Sequence, residues 1–196
     1  MRKIFAGTLF AGIAATAVAL GSSPAAATTF TVTNGGDSTG TTSNLTLTDV
    51  DTGARIMCHG TWSVDAPDGT GPGTDLFATT GLALSCTTAL NLTASVSGTL
   101  GFFNASWPGN GFTTGTLTGT DLVVNIAGAC TTRMRGELDN VTYDNSGALT
   151  IDTDATPKLT IPTGTGSGCL GLFLAGDWIT AQATFTFSPA FQISSP

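Results

Sequence analysis

The chain is short of charge, and shortest of the residue types that carry catalysis and metal binding. Charged residues fill 10% of its 196 positions, histidine occurs once as His59, and glutamate once as Glu137. A serine or cysteine nucleophile needs a positioned base, and His59 is the one histidine able to supply it. No G-x-S-x-G elbow occurs. No C-x-x-C pair occurs either, so the usual cysteine spacing of a zinc site is missing. A calcium loop of the D-x-D-x-D-G type is absent. Asp49 and Asp51 flank Val50, and Asp152 and Asp154 flank Thr153, which reads as solvated turn acids. Asp65, Asp68, Asp75, Asp139, Asp144 and Asp177 also lie in or beside turns. Glu137 shares an alternating row with Arg133 and Arg135, a charge-balanced face that does not mark a glycosidase pair. No cofactor, metal site or catalytic residue is expected, and the chain is not read as an enzyme.

Long apolar runs are missing except at the N-terminus. Arg2 and Lys3 precede the small, apolar stretch Ile4 to Leu20. Gly21 to Pro24 break it, and Ala25-Ala26-Ala27 offers a small-residue cleavage site. The run is short for a bilayer span and contains Gly7, Thr8, Gly12 and Thr16. Residues 1–27 therefore read as a cleaved export signal, and 28–196 as a single β-domain that is secreted or held at the cell surface. No cysteine sits near the cleavage site for lipid attachment, and Arg2 lacks the second arginine of twin-arginine export. No membrane span remains once the signal is removed. Cleavage leaves four basic residues against 13 acidic ones, a formal charge of −9. Such a chain repels phosphate backbones, so nucleic acid is excluded as a partner.

Helix signals are nearly absent, since no mature segment carries a sustained 3.6-residue apolar stripe. What the chain has is a period of two. Ile56, Cys58, Trp62 and Val64 share one face of a segment whose other face is Arg55, Met57, His59, Thr61 and Ser63. Leu82, Leu84 and Cys86 form another row, as do Leu92, Ala94, Val96 and Leu100. Leu122, Val124 and Ile126 form the next, in phase with Cys130. Ile179, Ala181, Ala183, Phe185 and Phe187 alternate with threonine and Gln182. Alternation of this kind buries one row and leaves the other in water. Threonine suits the wet row because its β-branch fits a pleated surface. Glycine-rich stretches separate the rows, and Asn145-Ser146-Gly147 reads as a tight hairpin turn. The expected fold is all-β, an antiparallel β-sandwich of about eight to ten strands, with a small β-barrel as the alternative.

Four cysteines remain: Cys58, Cys86, Cys130 and Cys169. Four allow three pairings. Cys58 and Cys86 fall on inward rows of consecutive segments, which suits a bridge between them and leaves Cys130 for Cys169. Metal binding is disfavoured because His59 points away from Cys58. An exported chain forms disulfides. Among the aromatics, Trp62 belongs to an inward row, and Trp178 is expected beneath a loop. Trp107 precedes Pro108 in a glycine-rich turn, with Phe102, Phe103 and Phe112 near it in sequence. Exposed, Trp107, Phe103 and Phe112 would hold a sugar face or an apolar partner; buried, they would pack a strand end.

The stretch Gly168-Cys169-Leu170-Gly171-Leu172, then Gly176-Asp177, then the alternating strand to Phe187-Ser188-Pro189 and Ile193-Ser194-Ser195-Pro196, resembles a group of small secreted actinobacterial proteins. Those share a signal peptide, threonine- and glycine-rich strands, four similarly placed cysteines and an SGCLGL…GD…SP ending. The likeness runs from the Leu45–Thr48 segment to the C-terminus. This chain departs from the group in its acidity and in Trp178. The resemblance implies an exported bacterial β-domain and brings no catalytic residues with it. Three functions are open: an exported structural, adhesive or binding domain with a cell-envelope or carbohydrate partner; an outer-envelope barrel or pore; and a carboxylate-dependent hydrolase. N-terminal sequencing of the exported protein should begin at or within a few residues of Thr28, whereas an exported product that starts at Met1 would contradict the signal.

Overall fold

The computed structural model describes residues 28–108, 111–128, 130–153, 159–163, 169 and 171–195. The expected signal over 1–27 lies outside them, as do Asp154, Gly168 and Leu170. Thirteen strands and no helix occur among the described residues. In chain order they are β1 (Phe30–Thr33), β2 (Gly36–Asp49), β3 (Arg55–Ala66), β4 (Gly69–Gly71), β5 (Phe77–Thr88) and β6 (Thr93–Thr99). There follow β7 (Phe102–Pro108), β8 (Phe112–Ile126), β9 (Cys130–Asp144), β10 (Ala148–Asp152), β11 (Leu159–Thr160), β12 (Trp178–Ser188) and β13 (Gln192–Ser194).

Eight of these close into an antiparallel ring in the order β2, β3, β5, β6, β8, β9, β10, β12 and back to β2. Apart from the closing pair β12–β2, each ring strand pairs with the ring strand next along the chain, so the barrel is an up-and-down meander. β7 continues β6 without a change of register: Thr99 faces Asp121 and Phe102 faces Thr118 on β8. β11 follows β10 between β9 and β12, with a shift of register. The expected sandwich is corrected at one place. β12 pairs with β2 from Ile179 opposite Asp49 to Ser188 opposite Thr39, and this seam turns an open sheet into the barrel alternative. Alternation alone is silent on which strands pair, and closure removes the long edges that an open sheet would expose.

The dry rows point inward as the sequence predicts. Ile56, Cys58, Trp62 and Val64 are buried, as are Leu122, Val124, Ile126 and the row from Ile179 to Phe187. Aromatic rings fill the half of the barrel near Trp62. Trp62 meets Phe185 and Phe187 edge-on at 5.2 and 5.3 Å between centroids, and Phe77 at 5.9 Å. Its indole N–H donates to Thr79 Oγ1 at 3.0 Å, so the one polar atom of this side chain is satisfied. A three-stranded sheet, β13-β1-β4, covers that end of the barrel. Phe30, Val32, Phe191 and Ile193 from this sheet and its approach join the same core. Phe191 stacks on Tyr143 at 4.4 Å, and the buried Tyr143 hydroxyl donates to the Phe191 carbonyl. Burial, the larger effect, pushes the Tyr143 pKa well up, so the ring stays neutral. Asn145, in the predicted turn, clamps Ile193 by accepting from its N–H and donating to its carbonyl.

The far end of the barrel holds the disulfides. Cys58 pairs with Cys86 directly across β3 and β5, and Cys130 with Cys169, matching the pairing expected from the inward rows. The two bridges close loops of 28 and 39 residues, each worth about 3 to 4 kcal/mol in the chain-entropy model.

Gly101 sits where β6 turns into β7. Its φ is +83°, and a Cβ placed there would lie 1.8 Å from the Thr118 carbonyl oxygen. Only glycine fits both the conformation and the close approach. Gly101→Ala should lower stability by at least about 2 kcal/mol, read as a fall in the urea midpoint at unchanged slope; an unaltered midpoint would contradict the tight β7–β8 approach.

Candidate functional site

The aromatic cluster expected around Trp107 does not assemble as one surface. Phe103 faces the interior, fully buried, and stacks on Phe77 at 4.9 Å. Its neighbour Phe102 points outward and is 47% exposed. Successive strand residues must take opposite faces, so only one of the two could reach solvent. Phe112 is 39% exposed at the other end of the β7–β8 hairpin, opposite Asp144. Trp107 is paired with Thr114 through its backbone, and its side chain lies outside the described part. Trp178, expected beneath a loop, is instead half-exposed beside Val50. His59 faces water on the outer row of β3, away from the Cys58–Cys86 bridge.

Among the described residues, two hollows lie on the outside at the closing seam. Thr46 faces Gln182 and Thr41 faces Thr186, so four residues of β2 span the same gap as three of β12. On the other side of β2, Ser43 and Asn44 lie opposite His59 alone. Both irregularities fall at one height, and β-bulges of this kind bend a strand away from its partner. Asn44 fills the gap left in the ladder. Its side-chain oxygen accepts from the Thr184 N–H at 3.1 Å and from the Thr42 hydroxyl at 3.0 Å. The parted strands leave a hollow of about 400 Å³ lined by Thr41, Thr42, Ser43, Asn44, Thr184 and Thr186. It shares Asn44 and Thr184 with a second hollow of about 260 Å³ that reaches Thr46, Thr150, Asp152 and Gln182.

The lining is mostly hydroxyl and amide side chains, with Ile151 and Ala183 beside them. Hydroxyls donate and accept, the amides of Asn44 and Gln182 do both, and Asp152 is the one charge. Gln182 Nε2 leans toward Asp152 Oδ1 at 3.4 Å. A cleft of this make-up can exchange hydrogen bonds with an uncharged polyol and offers little to an anion.

The strongest charge pairing lies on another face. Arg133 grips Asp121 with two nitrogens, one of them at 2.6 Å, and Arg135 joins at 3.0 Å. The Arg133 hydrogen bond, and then the charges of both arginines, hold the Asp121 carboxyl below the usual range. This is a half-exposed cross-strand network of small energetic worth. No group of three or more metal-ligating side chains occurs among the described residues.

No known protein family, curated protein or solved structure gives a match to this chain.

In the sequence, Asn44 carries no binding or positioning signature. Nothing in a period-two pattern marks a bulge, although Thr42-Ser43-Asn44 interrupts the alternation that resumes at Leu45 and Leu47. Asn44→Ala would leave the Thr184 N–H without its acceptor, and should cost about 1 to 2 kcal/mol in chemical unfolding. Full retention of stability would mean that water replaces the side chain.

Proposed function

We propose that this protein is an exported β-domain, secreted or held at the cell surface, that binds a neutral polyhydroxylated polymer of the cell envelope. The cleft beside Asn44 is its binding surface. The observation that carries this reading is the contrast between the two faces of the barrel. The interior is packed with rings and aliphatic side chains, while the outside opens into a cleft of hydroxyls and amides. A filled interior favours contact at the surface over carriage of a ligand inside. Two disulfides are consistent with an extracellular protein. The export signal, the resemblance to secreted actinobacterial four-cysteine proteins and the acidic mature chain support the same placement.

Closure at eight strands is the observation in favour of the pore reading, because outer-membrane barrels use rings of this size. Such barrels turn an apolar band outward and polar residues inward. Here the buried row holds Leu, Ile, Val and Phe, and the outer row is largely Thr and Ser, which supports a barrel in water. No helix among the described residues is long and apolar enough to cross a membrane. The hydrolase reading has less support, since Asp49 and Asp177, two acids in contact, are buried.

Binding of the oxidised, exported protein to envelope polysaccharides tests the proposal. Thr150→Arg combined with Thr184→Arg would place two long cations in the cleft on exposed positions. The pair should weaken polysaccharide binding by at least about tenfold with the melting temperature unchanged. Equal binding by the variant, or a conductance step in planar bilayers, would overturn the reading.

A further inference from the structure

Two aspartates fall on inward rows, where the alternation calls for apolar side chains. Asp49 follows Leu45 and Leu47 in phase, and Asp177 precedes Ile179 and Ala181 in phase. Asp49 lies opposite Ile179 across the closing seam, which brings the two acids to one corner of the disulfide end. Asp49 is 0% exposed and Asp177 9%. Each belongs to a turn. Asp49 Oδ1 accepts the N–H groups of Asp51 and Thr52 at 2.8 and 2.9 Å, and Asp177 Oδ2 accepts that of Leu174 at 2.6 Å. Asp49 Oδ2 is buried and has no conventional hydrogen-bond partner, while the Asp177 carboxyl lies against the same side chain. The turns are also joined by the Val50 N–H on the Trp178 carbonyl and by the Thr52 hydroxyl on the Leu172 carbonyl.

Two buried carboxylates in contact cannot both stay bare and ionised without a large cost; something positive must lie between them. A divalent cation fits poorly. Calcium takes about six to eight oxygens. The Asp49 and Asp177 carbonyls already accept the Gly53 and Ile161 N–H groups. A proton needs only the two side chains.

We propose that Asp49 holds a proton that it donates to the Asp177 carboxylate, and that this proton docks the 49–54 turn against the 172–177 turn, so that the disulfide end of the barrel tightens in acid and loosens as Asp49 ionises. Burial, then the contact with Asp177 and its charge, pushes the Asp49 carboxyl above its ordinary value of 3.8, against the pull of the Thr52 and Asp51 N–H groups. A carboxyl raised on folding contributes its full stabilisation below its unfolded value and loses it as pH climbs through the folded one. Among the described residues, the groups facing the pair are the two carboxyls themselves and Asp51, which approaches through its backbone. Among the described basic residues, Arg133 and Arg135 are engaged by Asp121, Arg55 is exposed at the start of β3, and His59 is on the outer face.

Thermal unfolding of the oxidised protein at pH 4 and pH 8 tests this with Asp49→Asn and Asp177→Asn. In either variant the new amide NH₂ donates permanently to the remaining carboxylate, as the Asp49 proton does. Each should melt about 3 °C above the wild type at pH 8 and show no gain at pH 4. The amides of Thr52 and Leu174 should gain exchange protection at pH 8 in both variants. Asp65→Asn removes the same charge at an exposed site and should give no comparable gain. The proposal is overturned if both variants match or fall below the wild type at pH 8. It is equally overturned if Asp65→Asn rises as much, or if calcium raises the melting temperature of the wild type alone, which would place a cation between the carboxyls.

Discussion

The pairing of the first long strand with the last one is the constraint on which the rest depends. β12 meets β2 along nearly its whole length, and the residues that make this seam also fill the space it encloses. Phe185 and Phe187 lie on β12 and press on Trp62 of β3. Closing the ring thus buries Trp62 with Phe185 and Phe187, and burying these side chains holds the ring closed. Ring pairs of this geometry add to the gain from area alone. The cap sheet follows from the same arrangement. With Trp62, Phe77 and Tyr143 near one mouth, that mouth would be wet unless something covered it, and Phe191 and Phe30 do so.

Much of this was legible in the residues. The inward rows were readable because a pleated strand turns alternate side chains to the same side, and the cysteine pairing followed from those rows. The Asn145-Ser146-Gly147 turn was readable from its chemistry. Closure was not. Sandwich and barrel use the same alternation, and they differ only in which edges meet. The cap strands escaped because β1, β4 and β13 span only four, three and three residues, too few to show a period. At the site, Phe102 and Phe103 were grouped by nearness in sequence, although neighbouring strand residues cannot share a face. Asp49 and Asp177 did carry a signal, an acid in an inward phase, which was passed over as turn chemistry. The cleft at Asn44 carried almost none, since a bulge is a property of two strands and not of one.

The architecture moves function outward. The barrel core is occupied, the acids that touch are buried, and the lone histidine lies on an ordinary wet face. What remains distinctive is the outer seam. There the demand for curvature parts two strands, and Asn44 replaces the missing ladder bonds with its own. The formal charge of −7 opposes polyanionic partners. The two disulfides are consistent with an extracellular protein.

Residue-resolved native hydrogen exchange across the seam tests the closed ring most directly. If β12 and β2 are true neighbours, the amides of Thr48 and Thr180, which face one another and point across the seam, should exchange as slowly as those of the β2–β3 hairpin, through global unfolding alone. Fast exchange along both strands, at the rate of frayed edges, would mean that the sheet is open and the account is wrong.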